Sequence, residues 1–390
     1  MDALGVGLLP DREFSSIMAS HFREVSQHDP KLINYGRDGA KAIDARYKND
    51  ELIALYDGPA LRSEDIETIS ARVHSEAAES RERVLRTFVF SLQKTDGFWR
   101  YRDRFQLLPA GPEAPDVPFS YGPHPLMLEY KVRWSEDPSL FMIRRTDTET
   151  RLVLLLNAFL RFGLTHIGFR QKHRWVVETK LSPGTANSPE SRTLFASDGY
   201  LVPGFLNSAE DFNPTNHLPG IPMLAIGEHY SGDAREPLVL PAYLEAVVTC
   251  YENLLEPDRR AFNRAIYWFG HSKAMYGVSF SAAFAALVQA IEALVPPGDS
   301  SRATARFIGF MMEIGVDKNM CETFYKIRSQ ILHGSRVLLD DFEGHFGAGL
   351  HYGTAEFYYN YDECERAAGY AMRNWLVRRM SELLENQSSE

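Results

Sequence analysis

The sequence predicts an α-rich α+β protein, in which an N-terminal helical and mixed α/β region precedes an all-α helical bundle. Three observations carry this expectation. Apolar residues recur at helical spacing between Ser63 and Leu92. From Gln106 to about Leu240 the composition shifts to Pro, Gly and short β-type runs. From Pro241 onward helical periodicity returns. The implied boundaries are a mainly helical region over residues 1–105, a mixed α+β region over 106–240 and an all-helical domain over 241–390. A chain of 390 residues has room for two or three domains.

The first predicted helix starts at Ser63, an N-cap followed by the acids Glu64 and Asp65. Ile66, Ile69, Val73, Val84, Leu85, Phe88, Val89 and Leu92 continue it to residue 92. In the middle region Leu126–Trp134, His166–Phe169 and Trp175–Thr179 read as strands around a helix from Glu149 to Phe162. Residues 182–222 are rich in Pro, Ser, Asn and Gly and predict a long irregular connection. Beyond Pro241, Phe280, Phe284, Leu287, Ile291 and Leu294 mark a helix that Pro296-Pro297-Gly298 stops. A second helix runs from the N-cap Ser301 to Ile314, with Gly315 as its end. A third covers Asp317–Leu332, with Met320, Phe324, Ile327 and Ile331 on one face and Gly334 as its stop. The last spans about Asp362 to Leu384.

Composition narrows the function classes. The net charge of −10 falls equally on the parts before and after Pro241, so neither part is a broad basic surface for nucleic acid. Cys250, Cys321 and Cys364 are isolated, which predicts no disulfide scaffold and no zinc cluster. No apolar run approaches the roughly 18 residues of a membrane span, and the start of the chain lacks a secretory pattern. The expectation is a cytoplasmic protein with no membrane partner and no cofactor. His166, His173, His217, Glu228 and His229 do not form the spacing of a metal hydrolase.

One segment carries chemistry: Tyr325-Lys326-Ile327-Arg328-Ser329-Gln330-Ile331-Leu332-His333-Gly334. An Arg and a His separated by four to six residues should occur by chance roughly three times in a chain of this composition. Here it occurs at Arg23/His28, Arg161/His166, Arg264/His271 and Arg328/His333, so the pair alone decides nothing. Context separates the last pair. It lies on a predicted helix about 30 residues after Ala290-Ile291-Glu292-Ala293-Leu294. This combination resembles the Apea-like branch of the HEPN superfamily, with Leu332 in place of the usual valine, and the resemblance covers roughly residues 241–384.

The resemblance implies an all-α HEPN-type helical bundle that pairs with itself as a homodimer, bringing two Arg and two His into one cleft. It implies a metal-independent endoribonuclease with Arg328 and His333 as catalytic residues. The substrate would be a selected RNA such as a tRNA, and the role that of a toxin or antiviral defence effector with an antitoxin or defence partner. The alternative is a non-catalytic HEPN module for dimerisation and for nucleotide, RNA or protein binding. The chemistry suits the first reading. Histidine exchanges protons with a ribose 2′-OH and a leaving 5′-oxygen near neutrality, while arginine offsets charge on the phosphate and keeps its own proton.

Geometry sets a condition, because residues five apart on a helix point about 140° from each other. Gly334 places His333 at the C-cap, where the chain turns away. Taken without the family context, the same residues fit a C-capping His and a surface Arg. Supporting candidates are Ser329, next to the arginine, Tyr325, one turn before it, which either positions phosphate or packs, and Glu292, which either orients Arg328 or faces solvent. Candidate RNA contacts are Lys326 within the motif and Arg336 just after it, and Arg100, Arg102 and Arg104, whose alternation with aromatics would set them on one strand face. The glycine-dense residues 344–353 lack phosphate-loop spacing and read as a plain connection.

Overall fold

Helix α1 (Asp11–Phe22) precedes a four-stranded antiparallel meander of β1 (Glu24–Asp29), β2 (Leu32–Arg37), β3 (Ala40–Lys48) and β4 (Glu51–Asp57), followed by α2 (Ser63–Ala78). The computed structural model describes residues 2–29, 31–48, 51–95, 97–109, 124–160, 163–166, 175–180, 191–196, 209–212, 225–227, 236–276, 278–334 and 352–387. Asp38-Gly39 joins β2 to β3 with φ of 53° and 75°, the left-handed pair that a two-residue hairpin turn needs. Phe14, Ile17, Phe22, Tyr35, Ile43, Ile69 and Val73 bury a first core among α1, α2 and this sheet.

The second sheet has the order β6-β7-β8-β5-β9, from β5 (Glu82–Ser91), β6 (Trp99–Tyr101), β7 (Phe105–Pro109), β8 (His124–Arg133) and β9 (Thr165–His166). β5 and β8 pair in register from Glu82↔Arg133 to Ser91↔His124. Helix α3 (Pro138–Phe159) packs on β8. β10 (Trp175–Lys180) pairs antiparallel with β11 (Ser191–Ala196), and β12 (Ala225–Gly227) pairs parallel with β13 (Val239–Pro241). Among the described residues six α-helices follow: α4 (Leu244–Glu252), α5 (Glu256–Met275), α6 (Phe280–Glu292), α7 (Ala303–Glu313), α8 (Lys318–Leu332) and α9 (Tyr352–Gln387). Their apolar faces share one continuous core with the second sheet. Among the described residues no helix is long and apolar enough to cross a membrane.

The α-rich α+β class is therefore the observed one, with differences in the elements. The helix predicted over 63–92 divides. α2 ends at Ala78, and Val84, Leu85, Phe88 and Val89 belong to β5. Lying between β8 and β9, this strand buries residues of both parities, which erases the period of two and leaves a spacing that mimics a helix. The first 105 residues consequently hold more strand than helix, against the mainly helical region predicted there. Arg62, not Ser63, is the N-cap of α2, and its N–H donates to the Asp65 carboxylate at 3.0 Å. Similarly, Ser301 lies in a short turn before α7 rather than at its cap. α3 begins eleven residues before the predicted Glu149, at Pro138, with Asp137 accepting from the N–H groups of Ser139 and Leu140. β11 falls inside the connection predicted over 182–222, most of which lies outside the described residues. α9 starts at Tyr352, ten residues before the predicted Asp362.

Helix α3 belongs to both cores. Its Leu140 packs with α1 and α2, while Val153, Leu155, Leu156 and Phe159 pack with the second sheet and the C-terminal helices. Between them lies Arg144, whose side chain is 3% exposed. Its Nε and one terminal nitrogen donate to Glu13 of α1 at 2.9 and 2.8 Å, and the other terminal nitrogen donates to the Trp134 carbonyl at 2.6 Å. Glu76 of α2 lies 3.0 Å away, and Arg133 also donates to Glu13 at 2.8 Å. Removing one partner of such a cluster leaves a buried charge uncompensated. Arg144→Ala is expected to lower unfolding stability by about 3 kcal/mol, read from urea denaturation, and adding Glu13→Gln to it should recover part of that loss.

Candidate functional site

The last two turns of α8 hold most of the motif. Asp317 caps its start, accepting from the Met320 N–H at 3.1 Å. Cys321, Phe324 and Ile327 are buried, and the Phe324 ring meets Phe284 of α6 at 6.2 Å between centroids. This packing sets the rotation of α8, so that Arg328, next to Ile327, emerges toward the end of α6. There Glu292 is the last helical residue. A terminal nitrogen of Arg328 donates to Glu292 Oε2 at 2.5 Å, with the two side chains 21% and 24% exposed. The Arg328 guanidinium also lies 5.5 Å from the centre of the Tyr325 ring. Among the described residues its Nε is buried without a hydrogen-bond partner.

Burial pushes the Glu292 carboxyl above its ordinary range, and the Arg328 charge opposes that rise. The pair therefore holds a guanidinium in a half-dry setting, where its field on an incoming anion is less screened than in water. Tyr325 is fixed from its other side by Phe307 of α7, at 5.3 Å and 49°. Of the predicted group, the structure brings together Arg328, Glu292 and Tyr325. Tyr325 packs, and its ring also faces the arginine.

His333 is the C-cap of α8, as the glycine signal requires, and is exposed. Its N–H still donates to the Ser329 carbonyl at 3.0 Å, and the chain reverses only at Gly334, with φ +67°. The turn follows His333 rather than preceding it, so the helical phase still separates it from Arg328 by about 140°. Ser329 is half-buried between them, and Lys326 is exposed. Arg336 and residues 344–351 lie outside the described residues, while Tyr352 and Gly353 open α9.

Arg100, Arg102 and Arg104 do not form the expected strand face. Residues 102–104 are the turn between β6 and β7, and Arg102 takes a left-handed φ of 47° there. Each arginine is engaged within the fold. Arg100 Nε donates to Gln106 Oε1 at 2.8 Å, and Gln106 donates to the fully buried Glu129 at 2.6 Å. Arg102 donates to Thr249 Oγ1 at 3.1 Å. Arg104 pairs with Glu82 at 3.2 Å and lies 3.5 Å from Glu252. Alternation in sequence signalled a strand because a tight hairpin places its arms in the same extended pattern.

Among the described residues no group of three or more His, Cys, Asp or Glu is arranged to hold a metal ion. The three cysteines are unpaired, and burial pushes the Cys321 thiol up to about 11 and the Cys364 thiol upward as well. One further group escaped sequence reasoning, a cavity between α3, α5 and α9 with Lys273 in its wall. Its signal was a lysine continuing the apolar stripe Phe262, Ile266, Phe269 of α5. Comparison of the chain with protein-family models, curated proteins and solved structures returns no match.

The Glu292 pair has a sign that can be measured. A carboxyl raised in the folded state binds its proton more tightly there than in the unfolded chain, so its contribution to stability falls as pH rises through and above the ordinary glutamate range. Glu292→Gln cannot titrate. Urea midpoints of the two proteins between about pH 4 and about pH 7 should show the native protein losing stability relative to the variant. A constant difference would mean that Arg328 offsets the burial in full.

Proposed function

We propose that this chain is a metal-independent endoribonuclease of the HEPN type that cuts a selected RNA as a pair of chains. The observation that carries the reading is the Arg328–Glu292 contact at 2.5 Å, which fixes a half-buried guanidinium one turn before a helix that ends at His333. In the reaction the ribose 2′-oxygen forms a bond to the neighbouring phosphorus, and the bond from phosphorus to the 5′-oxygen breaks. One His333 takes the 2′-OH proton, and the leaving 5′-oxygen receives a proton from a second. Arg328 offsets the charge that builds on the phosphoryl oxygens and stays protonated throughout. The products are a 2′,3′-cyclic phosphate and a 5′-hydroxyl.

The helical phase between Arg328 and His333 is what calls for a second copy. Within one chain the two side chains leave α8 in different directions, whereas two α8 ends facing each other would oppose the arginine of one chain to the histidine of its partner. The even distribution of negative charge favours a selected RNA over indiscriminate capture. A toxin or antiviral effector acting in the cytoplasm beside an antitoxin is the role such selectivity suits.

The same ion pair also favours a second reading, a non-catalytic HEPN module. A guanidinium already engaged by a carboxylate offers phosphate fewer N–H donors. Cleavage decides between them. Purified protein incubated with total RNA or tRNA in EDTA should produce discrete fragments, and His333→Ala or Arg328→Ala should lower the rate by about 100-fold or more. Equal cleavage by the variants, or none by the native chain under any activating condition, supports the module.

A further inference from the structure

We propose that the cavity between α3, α5 and α9 binds a nucleoside monophosphate. It encloses about 600 Å³, within the range of small-molecule sites. Its wall includes Phe159 from the end of α3, Tyr243 just before α4, Phe269 and Lys273 from α5, and Tyr370 and Arg373 from α9. None of its lining residues lies on α6, α7 or α8, so the inference does not rest on the endoribonuclease reading.

The charges of this wall are not alike. Lys273 Nζ donates to the carbonyls of Asn157 and Leu160, both at 3.1 Å, and lies 3.7 Å from Glu365. It thereby ties down the last turn of α3, and its charge is answered by the protein. Arg366 is exposed and paired with Glu363. Arg373 is different. Its guanidinium lies 4.9 Å from the centre of the Tyr243 ring and 5.1 Å from that of Tyr370, and no carboxylate pairs with it among the described residues. Asp362, also in the wall, is eleven residues earlier on α9, about 16 Å along the helix.

A half-buried arginine held by two aromatic faces keeps its planar fork of N–H donors in place while leaving them unmatched by acceptors among the described residues. That is the geometry that takes a phosphoryl group bidentately. Tyr370, a residue 43% exposed beside it, offers a ring on which a base can stack. Phosphate on Arg373 and a base against Tyr370 together describe a nucleoside monophosphate rather than a free anion.

Isothermal titration of the full chain tests this with AMP, GMP, CMP and UMP, and with inorganic phosphate and adenosine as separate probes. At least one nucleotide should bind with one site per chain, and phosphate and nucleoside should each bind about tenfold or more weakly by comparison. Arg373→Ala should weaken nucleotide binding about tenfold or more, and Tyr370→Ala should weaken it while leaving phosphate binding unchanged. Arg373→Lys, which keeps the charge but not the fork, should fall between and remains informative if the alanine variant does not fold. Arg328→Ala should bind as the native chain does. The proposal is overturned if no nucleotide binds at about millimolar concentration, if binding is lost in Arg328→Ala but kept in Arg373→Ala, or if phosphate alone binds as tightly as the nucleotides.

Discussion

A single buried guanidinium, that of Arg144, sets the condition that the packing of the N-terminal half must meet. Left without partners, a charge that is 3% exposed would cost several kcal/mol. It is satisfied only when α1 supplies Glu13, α2 supplies Glu76 and the end of β8 supplies the Trp134 carbonyl. Those contacts fix where α3 starts relative to the first core. Since Leu140 lies in that core and Val153 to Phe159 lie in the second, α3 transmits one placement to the other. At its far end the carbonyls of Asn157 and of the C-cap Leu160 are met by Lys273. One end of this helix is thus held by carboxylates that meet its own Arg144, and the other by a cation from α5.

The candidate site follows the same logic on a smaller scale. Phe324 and Ile327 fix the rotation of α8 against α6, and Glu292 then meets Arg328 without any further adjustment. The contact holds the guanidinium at the boundary of the core, where it neither wraps back on the surface nor enters the interior. Its two consequences pull against each other. A carboxylate orients the arginine, and it also competes with a phosphate for the same donors.

How much of this was legible depended on the range of the interaction that decides each element. α8 was readable almost to the residue and α6 to within a few residues of its end, since a periodic apolar face, the Asp317 cap and Gly334 are local signals. The proximity of Glu292 to Arg328 was readable as one of two alternatives. β5 was not, because its burial at positions of both parities arises only when it is seated between β8 and β9, which lie far along the chain. Arg100, Arg102 and Arg104 misled for a related reason: the partners Gln106, Thr249 and Glu82 that hold them appear only once β6 and β7 fold back. The Asp38-Gly39 turn was a local signal overlooked beside a helical reading of the first region. The Arg144 cluster and the cavity at Arg373 combine side chains from three or more elements, which no local pattern encodes.

The central claim is that Arg328 and His333 direct a 2′-oxygen onto the neighbouring phosphate. The ends of the RNA fragments report this most directly, because the mechanism fixes their chemistry. Phosphorus-31 spectra and end-labelling of the fragments should show 2′,3′-cyclic phosphates and 5′-hydroxyls, unchanged by chelator. Fragments ending in 5′-phosphate and 3′-hydroxyl would contradict the account, since they require water activated in another way.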